Sequence, residues 1–84
     1  MRNHTSSDAS RSLVRWQFRR GNRLLTIGVT RDPNDAYLVV TLPHWNLGRG
    51  VVEAFDRPVA ALGRHAAIAA SLRESGWRVA SYTS

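Results

Sequence analysis

The stretch SLVRWQFRRGNRLLTIGVTR, residues 12–31, decides the fold. In its first half Val14, Trp16 and Phe18 fall on one side of an extended chain, and Arg15, Gln17 and Arg19 on the other. A period of two marks a strand with one buried face. Gly21 and Asn22 supply a two-residue turn, in which glycine takes a positive φ at no steric cost. Residues 23–31 alternate again, with Leu25, Ile27 and Val29 inward and Leu24, Thr26, Gly28 and Thr30 outward. The reading is an antiparallel hairpin with one apolar and one polar face.

Working outward, Asp32-Pro33-Asn34-Asp35 is a strong turn: proline presets φ, and the Asx side chains bond the neighbouring backbone. Residues 36–42 read as a third strand, with Leu38, Val40 and Leu42 inward and Tyr37, Val39 and Thr41 outward. Pro43 closes it, residues 43–50 form a loop with two glycines, and residues 51–55 read as a short fourth strand. Asp56 is the expected N-cap of a helix over 57–75, with Pro58 in the first turn. Leu62, Ala66, Ala69 and Leu72 make its apolar stripe, with Ile68 at the edge. Gly76 suits the position after the helix, and Trp77 is placed to pack back on the last turn. The last residues alternate weakly and read as a fifth strand or a docked tail. The expected fold class is therefore α+β: a four-stranded antiparallel meander sheet packed on one face by a single C-terminal helix, in the order β-β-β-β-α. Trp16, Phe18, Ile27, Val40, Leu62 and Leu72 are its expected core.

Eighty-four residues make one domain. Residues 1–11 are polar and aperiodic and read as a disordered lead, dispensable for folding; residues 12–84 carry the domain. No apolar run approaches the ~20 residues of a membrane span, and the N-terminus has no apolar signal core. The chain has no cysteine, which excludes disulfides and thiolate metal sites and points to a cytoplasmic setting.

Catalysis finds little support. Among the carboxylates, Asp32 and Asp35 belong to a turn, Asp56 to a cap and Asp8 to the lead; only Glu53 is placed like a site residue, and an exposed strand glutamate is more often merely solvated. His44 and His65 have no metal-binding spacing, and His65 reads as a histidine packed where helix meets sheet. Gly48-Arg49-Gly50 matches no phosphate-binding loop, and no nucleophile elbow is present. The chain is expected not to be an enzyme and to need no cofactor or metal.

The stronger signal is charge. The formal net charge is +6, and every basic residue other than histidine is arginine. Arginine-rich codon usage in a GC-rich genome is the bland reading of the missing lysine, but it would not explain the excess over acids. Arginine presents a planar five-donor fork that suits phosphate and stacks on bases. The outward hairpin face carries Arg15, Gln17 and Arg19, joined on this register by Tyr37, with Arg23 and Arg31 at strand ends and Trp45 and Arg49 in the long loop. Cations beside an aromatic on an open sheet suit single-stranded nucleic acid, because arginines hold phosphates while bases stack. The bland alternative is an ordinary solvated face. Across residues 12–75 the ββββα order and basic sheet resemble the PUR repeat of purine-rich-element-binding proteins, and more loosely the Whirly and positive-cofactor-four groups. The resemblance implies single-stranded DNA or RNA binding by a curved sheet, often in a dimer, and assigns no individual residue. The expected function is a small nucleic-acid-binding module; the alternative is a protein-interaction domain that docks an acidic partner or pairs through a strand edge. A homodimer is also expected, from the small-residue stripe Ala60, Gly63, Ala67 and Ala70.

Overall fold

The computed structural model describes residues 11–83. The chain runs β1 (Arg11–Arg20), β2 (Arg23–Arg31), β3 (Tyr37–Pro43), a 3-10 turn (Leu47–Arg49), β4 (Val51–Phe55), α1 (Pro58–Glu74) and β5 (Arg78–Thr83). The strands form one open antiparallel sheet in the order β4-β3-β2-β1-β5. The α+β class and the meander are as expected, and the C-terminal segment is a fifth strand rather than a loose tail. The lead expected over residues 1–11 lies, apart from Arg11, outside the described residues.

Turn chemistry fixes the meander. Gly21 has φ +62° and Asn22 is not in the positive-φ region, the pattern of a type II′ hairpin turn. At the β2–β3 turn the Asn34 amide donates to Asp32 Oδ2 at 3.0 Å and the Asp35 amide to the Asp32 carbonyl at 2.9 Å. Asp35 has φ +66° and ion-pairs with Arg31 at 2.6 Å.

One face of the sheet carries α1, which packs over β2, β3 and β4. Phe18, Ile27, Val29 and Val39 are the largest fully buried side chains, capped by Ala61 and Ala69 of the helix. Three expectations fail, one in the third strand and two in the helix. The third strand is turned over: Val39 is 0% exposed and Tyr37 packs against the core, so Leu38, Val40 and Leu42 lie on the open face. The cause is register. Val29 pairs with Val39 and Arg31 with Tyr37, and directly paired residues share a face. The segment AYLVVTL is apolar at both parities, so its own alternation does not choose.

The helix is also rotated from the expected stripe. Its buried residues are Ala61, His65 and Ala69, with Ile68 and Leu72 packed beside them, whereas Leu62 is 45% exposed. Large side chains from the sheet fill the space below, so the buried face of the helix centres on the alanines Ala61 and Ala69 and on His65 rather than on Leu62. Asp56 is not the cap: Arg57 holds that position without a side-chain bond, and Pro58 starts the helix. The C-terminal end follows the sequence. Gly76 has φ +94°, its amide donates to the Arg73 carbonyl at 3.1 Å, and the Trp77 amide donates to the Leu72 carbonyl at 2.9 Å. That bond pair is a Schellman motif, and it delivers Trp77 into the core.

His65 is the one polar residue in the core of the described residues, 5% exposed, with the Trp16 ring edge-on at 5.4 Å. Its Nε2 has no hydrogen-bond partner among them. Burial pushes its pKa below the ordinary 6.5, against a smaller opposing pull from the Ile27 backbone. Between 6.5 and the lowered folded value, the unfolded chain binds the proton more readily. Stability is therefore fully present above 6.5 and falls as pH drops through the folded value. The thermal midpoint is expected to be lower at pH 5.5 than at pH 7.5, with much of that difference absent in His65→Leu. An unchanged pH dependence in the variant would assign the effect to other groups.

Candidate nucleic-acid interface

The face of the sheet opposite α1 carries no covering element among the described residues. Strand pairing assembles it. Arg15 faces Thr83, Gln17 faces Ser81 and Arg19 faces Arg78 across β1 and β5. On the other flank of β1, Arg15 faces Gly28, Gln17 faces Thr26 and Arg19 faces Leu24. Gly28 and Thr26 in turn face Val40 and Leu42 of β3, and Val40 faces Val52 of β4. The face is thus divided along its width. Cations and polar groups lie on β5 and β1, a glycine floor lies at the centre of β2, and aliphatic side chains lie on β3 and β4.

The middle of this face is a shallow trough of about 430 Å³. Arg15, Gln17 and Thr26 line one side, Val40 and Leu42 the other, and His44 stands at one end. Gly28 lies on the floor beside the Val14 carbonyl; a Cβ there would meet that oxygen at 3.1 Å. The walls are tied down. Thr26 Oγ1 and His44 Nε2 share a hydrogen bond of 2.7 Å, and the Ser81 hydroxyl donates to Gln17 Oε1 at 3.2 Å.

Arg19 and Arg78 are a like-charged pair directly opposite one another on adjacent strands. Such neighbours have Cβ atoms ~4.5–5.5 Å apart, and the pairing is destabilising. No ion pair relieves it among the described residues, where the two salt bridges are Arg31–Asp35 and Arg64–Glu53. The second like-charged pair of this sheet end, Arg20 opposite Arg23, points to the helix side and is relieved there. Arg20 lies 5.0 Å over the Trp77 ring and donates through Nη1 to the Ser75 carbonyl at 2.9 Å; Arg23 lies 4.8 Å over Trp45. Trp45 and Trp77 stack at 5.7 Å and 16°, which makes an Arg20–Trp77–Trp45–Arg23 ladder locking the hairpin, the loop and the helix end together.

The expected site residues therefore divide. Arg15, Gln17 and Arg19 share the open face. Tyr37 does not: it is on the helix side, with the turned third strand. Arg31 is on that side as well, at the far end of β2, and is occupied by Asp35. Arg23 and Trp45 belong to the ladder, and Arg49 ends the 3-10 turn in the loop. Glu53 is held by Arg64 at 2.9 Å, which explains the strand glutamate without any chemistry. Arg78, Ser81 and Thr83 join the face through β5, and the aliphatic half through the reversed β3. The field is also uneven. Asp32, Asp35 and Asp56 gather near the β2–β3 turn, while Arg19, Arg20, Arg23 and Arg78 gather at the opposite end of the sheet.

Among the described residues no group of three or more His, Asp or Glu is placed to hold a metal ion, and no helix is long and apolar enough to cross a membrane. No protein-family model matches this chain, nor does any curated protein or solved structure.

Proposed function

We propose that this chain is a nucleic-acid-binding module that holds a single strand on its open sheet face by binding rather than catalysis. The observation that carries the reading is the Arg19–Arg78 pair, two cations set against each other with no carboxylate among the described residues to separate them. A phosphate between them turns a repulsive pair into a clamp, and charge-assisted Arg–phosphate bonds are the strong kind. Arg15 lies four residues along β1 on the same face, about 13 Å away, so the three cations follow a backbone instead of enclosing a single group. The aliphatic half of the face, across the trough, offers apolar contact to bases. A single strand presents phosphates on one side and unstacked bases on the other, which matches that division; a duplex keeps its bases stacked inside.

The direct test is fluorescence anisotropy of a labelled mixed-sequence single strand, with the duplex of the same sequence as comparison. The single strand is expected to bind with micromolar or tighter affinity at ~50 mM salt, more tightly than the duplex, with log K falling linearly in log salt. Absence of binding at low salt overturns the proposal. A second reading, pairing of a partner chain or second copy along the β4 edge, is favoured by Val51 and Val52, 52% and 60% exposed on that strand. It needs no nucleic acid, so the same titration separates the two.

A further inference from the structure

We propose that the trough over Gly28 seats one unstacked nucleobase and favours bases that present two adjacent hydrogen-bond acceptors, guanine through O6 and N7 or cytosine through O2 and N3. The inference rests on the single-strand reading above and deepens it from backbone contact to base choice.

Gly28 stands between Arg15 on one side and Val40 on the other, so a flat ring placed there lies on backbone, with a cationic wall and an aliphatic wall. The chemistry of the β1 wall then selects the edge. Arginine has five donors and no acceptor. The glutamine amide has one acceptor and two donors, and Gln17 Oε1 already accepts the Ser81 hydroxyl at 3.2 Å. Its NH2 group is what remains for the trough. The Thr26 hydroxyl is turned to His44 at 2.7 Å, and the Ser12 and Thr30 hydroxyls lie at the opposite end of the trough, beyond Gly28. Arg15 and Gln17 together make a donor-only wall. Guanine and cytosine each have an edge with two neighbouring acceptors, whereas thymine and uracil interpose N3–H between their carbonyl oxygens. Adenine sets its amino group beside each of the acceptors N1 and N7. An N–H aimed at a donor-only wall loses its bond to water and gains none.

Oligo-dC and oligo-dT of equal length test this at pH 7.5, because their phosphates are identical and the backbone contribution cancels. Oligo-dC is expected to bind about tenfold more tightly, within the range a good bidentate base contact gives, and the ratio is expected to persist at ~200 mM salt, where phosphate contacts weaken. Gln17→Leu should bring the ratio near one with the salt slope unchanged. Ser81→Ala frees Gln17 Oε1 to turn toward the trough and should narrow the ratio without loss of folding. Val40→Trp, which fills the trough from its far wall, should weaken oligo-dC more than oligo-dT and bring the ratio toward one. Equal affinity for the two homopolymers, or tighter binding of oligo-dT, overturns the base pocket and leaves strand binding standing. A ratio unmoved by both Gln17→Leu and Ser81→Ala also overturns it. No binding of either homopolymer at low salt removes this proposal together with the one beneath it.

Discussion

Phe18→Ala is expected to cost about 3–5 kcal/mol, which would leave little folded protein at 25 °C. Phe18 is fully buried near the C-terminal end of β1, clustered with Leu25, Ile27, Ala69 and Trp77. The elements above cannot fall into the space it vacates, because the helix meets it with alanine and Trp77 is held in place by the Schellman turn and the arginine–tryptophan ladder. A cavity that cannot collapse keeps its full penalty. A single core of this size supplies of the order of 5 kcal/mol in total. Leu62→Ala is the matched control: an equally apolar position in sequence, but 45% exposed, so its cost should stay within about 1 kcal/mol. Val39→Ala should likewise exceed Val40→Ala, since only Val39 lies in the core. Urea unfolding followed by tryptophan fluorescence and circular dichroism measures all four. Equal costs for Phe18→Ala and Leu62→Ala would show that the helix presents a different face.

The hairpin of β1 and β2 was legible because Val14, Trp16, Phe18, Leu25, Ile27 and Val29 recur on the core side at a period of two, and because Gly21 marks the turn. The third strand was not, for a reason visible in its residues. Leu38, Val40 and Leu42 look more like a core than Tyr37 and Val39, and only the pairing of Val29 with Val39 decides otherwise. Counting across the turn would have required knowing that the turn keeps five residues, Asp32–Ala36, out of the ladder. The helix face failed similarly. Alanines surround α1, so its sequence carries little amphipathic signal, and the sheet chose the face on which small residues and His65 line up. Of the open face, Arg15, Gln17 and Arg19 follow from local alternation, but Arg78 does not. Its place beside Arg19 depends on a chain that leaves the sheet at the β4 edge, crosses through α1 and returns at the opposite edge, and no local pattern encodes that return. The cation pair and the trough are thus products of long-range topology.

Replacing Arg15, Arg19 and Arg78 together by alanine is expected to weaken single-strand binding about 10²-fold or more at ~50 mM salt, with the deficit shrinking as salt rises toward 1 M. The magnitude follows from counterion release. Each phosphate neutralised on a single strand contributes ~0.7 to the slope of log K against log salt, so three lost contacts lower the slope by roughly 2. A slope change of that size, carried from 1 M down to ~50 mM, amounts to two to three decades of affinity. The fold should survive, because all three side chains are exposed and removal of Arg19 and Arg78 ends a repulsive cross-strand pairing. A midpoint above that of the wild type would itself show that the pair is held at a cost in stability. Arg31→Ala is the single-charge control: it removes a cation that Asp35 already neutralises on the other face, and should leave the slope nearly unchanged. Anisotropy titrations at four or more salt concentrations, with circular dichroism on each variant, give both quantities. If the triple variant kept the wild-type slope, the phosphates would lie elsewhere. The ladder end is the next basic surface, where Arg23 covers Trp45, itself 43% exposed. If Arg31→Ala lowered the slope as much as one of the three, binding would follow net charge alone, and the division of the open face into cationic and aliphatic halves would have no part in it.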